Sequence, residues 1–325
     1  MNPKISVIIP AYNGAVFLPQ TLKSVFQQTY QPFEIIVIDD GSTDNTPDVL
    51  KPFEDKIIYH RKENGGAAKA MNTGMQMAKG DFIAILEQDD LWFKHKLEKQ
   101  VDLMLKYPDV GVTCANFVTR FAGKDTPLKR HFHRLRLKDT YNFDAPLAGD
   151  NLQIMMKENF VCTFSSVMIR RNIIEKIGVT NPEFRICFDF EYWIRCAKVT
   201  KFALQADILL FKRVHGGNLS FNAIKRCKEH KNVLIHFLKE SFFLNKQFIN
   251  LAKLELGKSY YELGDAYYEC GQTMQAFHAY WRGFLSQVSI GNGILFLKKF
   301  CNKFIRLLSF NLLSRRNIRK ALVRT

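Results

Sequence analysis

The first 115 residues alternate short β-branched runs with stretches of helical periodicity, and this alternation restricts the fold more than any other feature of the chain. Candidate strands are Ile5–Ile9, Glu34–Ile38, Ile57–His60, Phe82–Leu86 and Val110–Cys114. Between them lie Val16–Gln28, Thr46–Phe53, Ala67–Ala78 and His95–Lys106, with apolar residues at helical spacing such as Leu97, Val101, Met104 and Leu105. Strands buried on both faces and joined by helices indicate an α/β fold with a mostly parallel, Rossmann-like sheet flanked by helices. Ligands of such sheets bind beyond the carboxyl ends of the strands. The acids of this chain gather there. Glu34–Ile38 runs into Asp39-Asp40-Gly41-Ser42-Thr43-Asp44, and Phe82–Leu86 runs into Glu87-Gln88-Asp89-Asp90. On strands expected to be neighbours, these acids repel one another unless a cation or a set of donors holds them. Helix capping, with Ser42 and Asp44 as caps, is the competing role for either doublet alone.

From about Phe117 to Gln153 the sequence turns basic and irregular, including Lys129-Arg130-His131-Phe132-His133-Arg134, and reads as a loop or insertion beside the site. A strand near Ser165–Ile169, helices over Asn172–Ile177 and Phe188–Val199, and a strand near Ala203–Leu210 follow. Beyond Ser220 the pattern is helical. Tyr260, Leu263, Gly264, Tyr267, Gly271, Ala276 and Tyr280 match the spacing of one tetratricopeptide repeat. The expected organisation is a domain over 1–220, with a ligand-binding half over 1–115 and a catalytic half over 116–220. A helical extension over 221–325 would contain a repeat-like hairpin at about 260–285, a candidate surface for a protein partner, and a basic amphipathic tail at 286–325.

The net charge of +16 is unevenly placed. After Glu269 the chain has no acid, yet it carries ten basic residues interleaved with groups such as Phe296, Phe300, Phe304, Leu307 and Phe310. Basic and large apolar residues in similar number suit a helix lying on an anionic membrane surface. Nucleic acid is disfavoured as a partner, since no reading module accompanies the charge. Seven scattered cysteines without a Cys-x-x-Cys pair suggest reduced thiols and no zinc site. The first apolar segment, Ile5–Pro10, is too short for a secretory signal, so a cytoplasmic location is expected, with peripheral contact at the inner face of the membrane.

Taken in order, Pro10-Ala11-Tyr12-Asn13, Asp39-Asp40-Gly41-Ser42-Thr43-Asp44, Asn64-Gly65-Gly66 leading to Ala70-Met71-Asn72-Thr73-Gly74, and Glu87-Gln88-Asp89-Asp90 resemble the family 2 glycosyltransferases. The resemblance spans residues 3 to about 220 and implies the GT-A fold and inverting transfer of a sugar from a nucleotide diphosphate. The implied donor is a UDP- or dTDP-sugar, and the implied acceptor a saccharide or lipid-linked hydroxyl of the cell envelope.

A carboxylate can accept from N3 of a uracil or thymine ring, which suits Asp39 for the base, with Asp40 as the alternative. Pro10, Ala11, Tyr12 and Asn13 would form the opposite wall, with Gly66 and Asn72 near the donor. Many relatives have Arg where this chain has Met71, so one phosphate contact is absent or comes from elsewhere. Asp89 is expected on a divalent cation, Mg2+ or Mn2+, with Glu87, Gln88 and Asp90 lining the donor site. Position 87 departs from the family, where Asp is usual. The stretch from Phe188 to Ala197 resembles the family's acidic helix start and makes Asp189 the general base. Glu191 is the fallback, and Trp193 and Ser165 are candidates to border the acceptor. Arg213-Val214-His215 resembles a closing basic motif, with Arg213 on the phosphates and His215 on phosphate or metal. A nucleotidyltransferase and a non-catalytic sugar-nucleotide-binding protein or scaffold are the alternatives. Co-sedimentation with anionic liposomes tests the tail: the full chain is expected to pellet and a chain lacking 286–325 to stay in solution, and equal recovery removes the membrane role.

Overall fold

The structure is a computed structural model that describes residues 2–121, 129–130, 141–216, 222–239, 246–288, 300–303 and 305. The chain divides into two compact units, Met1–Asn218 and Leu219–Thr325. Most of the basic tail lies outside the described residues, as does Lys129–Arg134 apart from a two-residue strand.

The first unit holds strands β1 (Ile5–Ala11), β2 (Glu34–Asp39), β3 (Ile58–Arg61), β4 (Phe82–Ile85), β5 (Leu91–Trp92), β6 (Val110–Phe121), β7 (Lys129–Arg130), β8 (Val167–Arg170) and β9 (Lys201–Val214). Its helices are α1 (Leu18–Phe26), α2 (Thr46–Leu50), α3 (Ala67–Met77), α4 (Lys96–Lys106), α5 (Asn151–Lys157), α6 (Arg171–Ile177) and α7 (Phe188–Ala197). One sheet runs β3-β2-β1-β4-β8-β6-β9-β5, with β7 paired to β6 off this path. The pairs β3/β2, β2/β1, β1/β4 and β6/β9 are parallel, whereas β8 is antiparallel to both its neighbours and β5 to β9. The expected mixed, mostly parallel sheet is present, with one correction. The acid-bearing β2 and β4 are not adjacent but flank β1, so the loop after β1 lies between the two acid clusters.

Strand alternation divides the core between the two faces. Val7, Ile9, Val37 and Ala84 pack with Leu18, Leu22 and Val25 of α1 and Leu97, Val101 and Met104 of α4. On the opposite face α3 lies so close to the sheet that a Cβ at Gly74 would stand 2.3 Å from Cγ2 of Ile8 and 3.4 Å from Cγ1 of Ile38. Met71, also on α3, is buried. It packs in the core and is not itself a phosphate contact.

Two expectations for the second half need correction. The segment from Phe117 is not a loop at its start, because β6 continues to Phe121 beside β9, which itself runs to Val214. Register shifts between Ala115 and Phe117 let the two strands bend and stay paired. The stretch before Gln153 is also partly ordered: Tyr141 and Leu147 are buried, and Asp150 caps α5 by accepting from the backbone N–H groups of Leu152 and Gln153.

The second unit contains α8 (Ala223–Lys239), α9 (Lys246–Glu269) and α10 (Thr273–Val288). The turn between α9 and α10 passes through Gly271 at φ +73. Gly264 lets the Tyr280 ring lie against α9, and the Tyr280 hydroxyl donates to Asp265 at 2.7 Å. No helix among the described residues is long and apolar enough to cross a membrane.

Gly74→Ala tests the helix–sheet contact. Alanine recovers up to about 1 kcal/mol of helix propensity, but crowding a packed core costs about 1–3 kcal/mol. The substitution is expected to lower the urea midpoint, and an unchanged or higher midpoint contradicts the close approach.

Candidate active site

The carboxyl ends of β1, β2 and β4 and the far end of β9 form one rim. After β1, the amide N–H of Tyr12 donates to Oε1 of Gln88 at 2.8 Å, and Nε2 of Gln88 donates to the Tyr12 carbonyl at 3.0 Å. Gln88 therefore clamps the first loop to the fourth, while the Tyr12 ring stays exposed. Asn13 adopts φ +50, and its Oδ1 accepts from the backbone N–H of Thr43 at 2.8 Å. Pro10 and Ala11 are strand residues paired with Ile38 and Asp39.

The two acids after β2 have separate partners. Asp39 is buried and accepts from the Ser42 N–H at 2.8 Å and the Tyr59 hydroxyl at 2.7 Å. Asp40 accepts from Lys62 Nζ at 2.7 Å, Gly65 N at 3.0 Å and Gly66 N at 2.6 Å. Asp40 thus shapes the glycine turn before α3, and Gly66 at φ +90 supplies a conformation that other residues resist. Asn72 does not face this space. Its amide donates to the Thr180 carbonyl and its Oδ1 accepts from the Thr180 N–H and hydroxyl, tying α3 to the segment before α7.

After β4, Glu87, Asp89 and Asp90 each offer a carboxylate oxygen, all within 4.8 Å of one another. Asp90 is fully buried; its Oδ1 accepts from the Arg213 N–H at 3.1 Å, and its Oδ2 has no hydrogen-bond partner among the described residues. Burial pushes the Asp90 carboxyl up to about 7, with the charges of Glu87 and Asp89 adding to the rise and that of Lys212 opposing it. Asp89 meets Nε2 of His215 at 2.9 Å, and the His215 ring stacks on Phe17 at 5.1 Å. Arg213 donates to the Asp89 carbonyl at 3.2 Å and lies over Phe17 at 5.3 Å. A hard divalent cation prefers such a set of clustered carboxylate oxygens, one of them buried and without a donor, so the residues fit Mg2+ or Mn2+.

Three further side chains complete the cluster, of which Lys212 and Thr21 were not singled out by the sequence. Lys212 Nζ donates to Oε2 of Glu87 at 2.6 Å and to the Thr163 hydroxyl at 3.2 Å, and lies 3.6 Å from Oδ2 of Asp90. The Thr163 hydroxyl in turn donates to Oε2 of Glu87 at 2.8 Å. From α1, the Thr21 hydroxyl meets the carbonyls of Gln88 at 2.7 Å and Asp90 at 3.0 Å. Burial works to raise the Glu87 carboxyl, yet the charge and hydrogen bond of Lys212, joined by hydrogen bonds with Thr163 and Asp90, together outweigh it and hold the carboxyl low. Burial likewise works to lower the Lys212 ammonium, and Asp90 and Glu87 outweigh it, so its proton is held tightly. The adjacent cations Lys212 and Arg213, ending a strand that would face an acid-bearing loop, were the available signal.

Asp189 stands in the first turn of α7, and its Oδ1 accepts from the Phe190 N–H at 2.7 Å. Burial pushes its carboxyl up to about 6, and the nearby charges of Glu87 and Lys212 act on it in opposite directions. Glu191 points elsewhere. It accepts from Nε and Nη2 of Arg195 at 2.7 and 3.0 Å, which removes it as a base. Trp193 is fully buried against Phe164, with ring centroids 4.7 Å apart, so it packs the core and does not border an open subsite. Ser165 is buried as well, its hydroxyl accepting from the Glu87 N–H at 3.0 Å. Its role is to hold the acid loop.

The sequence profile of Glycosyl transferase family 2 matches residues 6–178. The chain belongs to glycosyl transferase family 2. It is a glycosyltransferase, and among its relatives is a putative teichuronic acid biosynthesis glycosyltransferase of Bacillus subtilis, 30% identical over 78% of this chain and 98% of that one. An uncharacterized glycosyltransferase of Rickettsia typhi is 28% identical over 78% of this chain and 76% of its own length. The fold is similar to that of S. aureus TarS 1-349 in complex with UDP-GlcNAc, with TM-score 0.63, 16% identity, and 87% of this chain and 81% of that one covered. It is also similar to the mannosyltransferase PcManGT from Pyrobaculum calidifontis in complex with GDP-Man and Mn2+, with TM-score 0.56, 15% identity, and 99% and 87% covered.

The raised Asp189 carboxyl has a consequence for stability. The folded state keeps this proton more tightly than the unfolded chain, whose carboxyl titrates near 3.8, so the group costs stability as pH rises from about 4 to about 6 and the cost persists above. Asp189→Asn removes that cost. Its urea midpoint at pH 7.5 is expected to exceed that of the parent, with the advantage vanishing near pH 4; a lower midpoint at pH 7.5 contradicts the raised carboxyl.

Proposed function

We propose that the enzyme transfers a sugar from a nucleoside diphosphate sugar to a hydroxyl of a saccharide or lipid-linked acceptor, with inversion and with Asp189 as the general base. The observation that carries this reading is the acid loop after β4, which has the cations at the end of β9 paired to it and Asp189 near enough for the Glu87 and Lys212 charges to act on it. Asp39 suits a pyrimidine N3–H, because the Ser42 N–H and the Tyr59 hydroxyl fix its orientation and Arg61, 3.7 Å away, supports its charge. The exposed Tyr12 ring, presented by the Gln88 clamp, offers a face for the base or ribose. The ligands of TarS and PcManGT, UDP-GlcNAc and GDP-Man with Mn2+, support a nucleotide-sugar donor and a divalent cation. Asp89, steadied by His215, and Asp90 would hold the cation, which when bound neutralises the diphosphate leaving group. Arg213, anchored on the acid loop, adds fixed positive charge beside it.

Asp189 in its charged form can take the proton of an attacking hydroxyl, and a carboxyl titrating near 6 is better matched to that task at neutral pH than one near 4. The relative named for teichuronic acid biosynthesis favours an envelope polysaccharide as the acceptor.

A panel of nucleotide sugars with Mg2+ or Mn2+, read as nucleotide release, tests the donor class; release with none of them, across a broad set of acceptors, ends the reading. With a turned-over donor, kcat/KM is expected to fall with unit slope below about pH 6 as Asp189 gains its proton. Asp189→Asn is expected to lose about 10²–10⁴ in kcat, the usual worth of a general base. Full activity in that variant would assign the base elsewhere.

A further inference from the structure

We propose that Lys212 is a built-in counter-charge that withdraws Glu87 from the cation's ligands, leaving Asp89 and Asp90 as the carboxylates that hold the ion. Lys212 is a positioning residue in this scheme, acting through Glu87. The inference rests on the reading of the acid cluster as a cation site and goes on to say which of its three acids serve.

The geometry around Glu87 differs from that around its neighbours. Oε2 of Glu87 accepts from both the Lys212 ammonium at 2.6 Å and the Thr163 hydroxyl at 2.8 Å. An ion at that oxygen would have to displace a charged donor and then sit against it. Oδ2 of Asp90, by contrast, has no hydrogen-bond partner among the described residues, and the ammonium stands off at 3.6 Å. Oδ2 of Asp89 meets Nε2 of His215 at 2.9 Å, and Asp89 lies with Asp90 in the cluster of carboxylate oxygens. The ammonium itself is engaged with Glu87, Thr163 and Asp90, and its side chain is only 22% exposed, so it serves the framework and is poorly placed to reach a phosphate. Glu87 and Lys212 together add no net charge to the site. The extra methylene of Glu87 is accommodated by turning its carboxylate toward β9 and Thr163.

A charge cycle read by Mn2+ binding tests this. Mn2+ is titrated into the full chain with and without UDP and the free ion followed by electron paramagnetic resonance. Lys212→Met is expected to tighten Mn2+ by about tenfold and Glu87→Gln to weaken it by about tenfold, the scale of one unit charge near a divalent ion in a partly screened site. The double variant Glu87→Gln with Lys212→Met removes both charges and is expected to bind within about threefold of the parent, as is Lys212→Arg, which keeps the charge. A double variant at least about tenfold weaker than the parent would make Glu87 a ligand and overturn the proposal.

Because a variant can fail to fold, the parent protein with Mn2+ provides a second measurement by crystallography. The ion is expected on Asp89 and Asp90, and a Glu87 oxygen within about 2.4 Å of it overturns the proposal. Absence of Mn2+ binding by the parent under both conditions removes the cation-site reading itself, and this inference with it. Failure to find a donor sugar in the release assay leaves the Mn2+ cycle intact, so the two failures are separable.

Discussion

Parallel strands deliver their carboxyl ends to one rim, and in this chain those ends carry acids, so mutual repulsion among Asp39, Asp40, Glu87, Asp89 and Asp90 is the condition that the rest of the site must satisfy. Each acid meets it differently. Asp39 is oriented by Tyr59 and a backbone N–H, and Asp40 by Lys62 and the glycine turn. Glu87 is neutralised by Lys212, and Asp89 faces His215. Asp90 has the least compensation, and its carboxyl is pushed up toward neutrality. The buried Asp90 oxygen without a donor, beside Asp89 and Glu87, is the kind of oxygen set that a hard cation prefers.

That compensation depends on β9. A strand ending at Leu210 would leave Lys212, Arg213 and His215 on a loop with no defined distance from the acids. Continued pairing with β6 to Val214 carries them along the sheet to the rim where β4 ends. β5 pairs with β9 through Leu91 and Trp92, immediately after the acid loop, and fixes that loop from the other side. The fold therefore brings opposite charges together from residues about 125 positions apart in sequence. The same packing that buries Asp189 enough to raise its carboxyl makes it costly to fold at neutral pH.

Much of the architecture was legible because burial imposes period: the first four strands and the helices between them were readable from apolar spacing within a residue or a few of their ends. Strand-end acids were equally legible, since an apolar run ending in carboxylates has few structural uses. Side chains whose identity suits two roles were not. Trp193 and Glu191 lie beside Asp189 in sequence, but helical rotation turns Trp193 into the core and Glu191 toward Arg195. Asn72 and Gln88 look like ligand-binding amides and instead hold backbone segments together. Lys212 is not legible in the sequence, because its partner is distant in sequence and the strand that carries it continues beyond its apolar run.

The sequence by itself determined the sheet's class, the rim where chemistry would gather, the family, and Asp89, Asp189 and His215 as residues to examine, because hydrophobic period and the chemistry of strand ends are local properties. Tertiary structure alone decided that β1 separates the two acid-bearing strands, that Asp40 shapes a turn while Asp39 is held by Tyr59 and the Ser42 N–H, and that Glu87 is matched by Lys212. Those outcomes depend on strand order, on the register of β6 with β9, and on which charges burial forces together. None of these is encoded within reach of a sequence window.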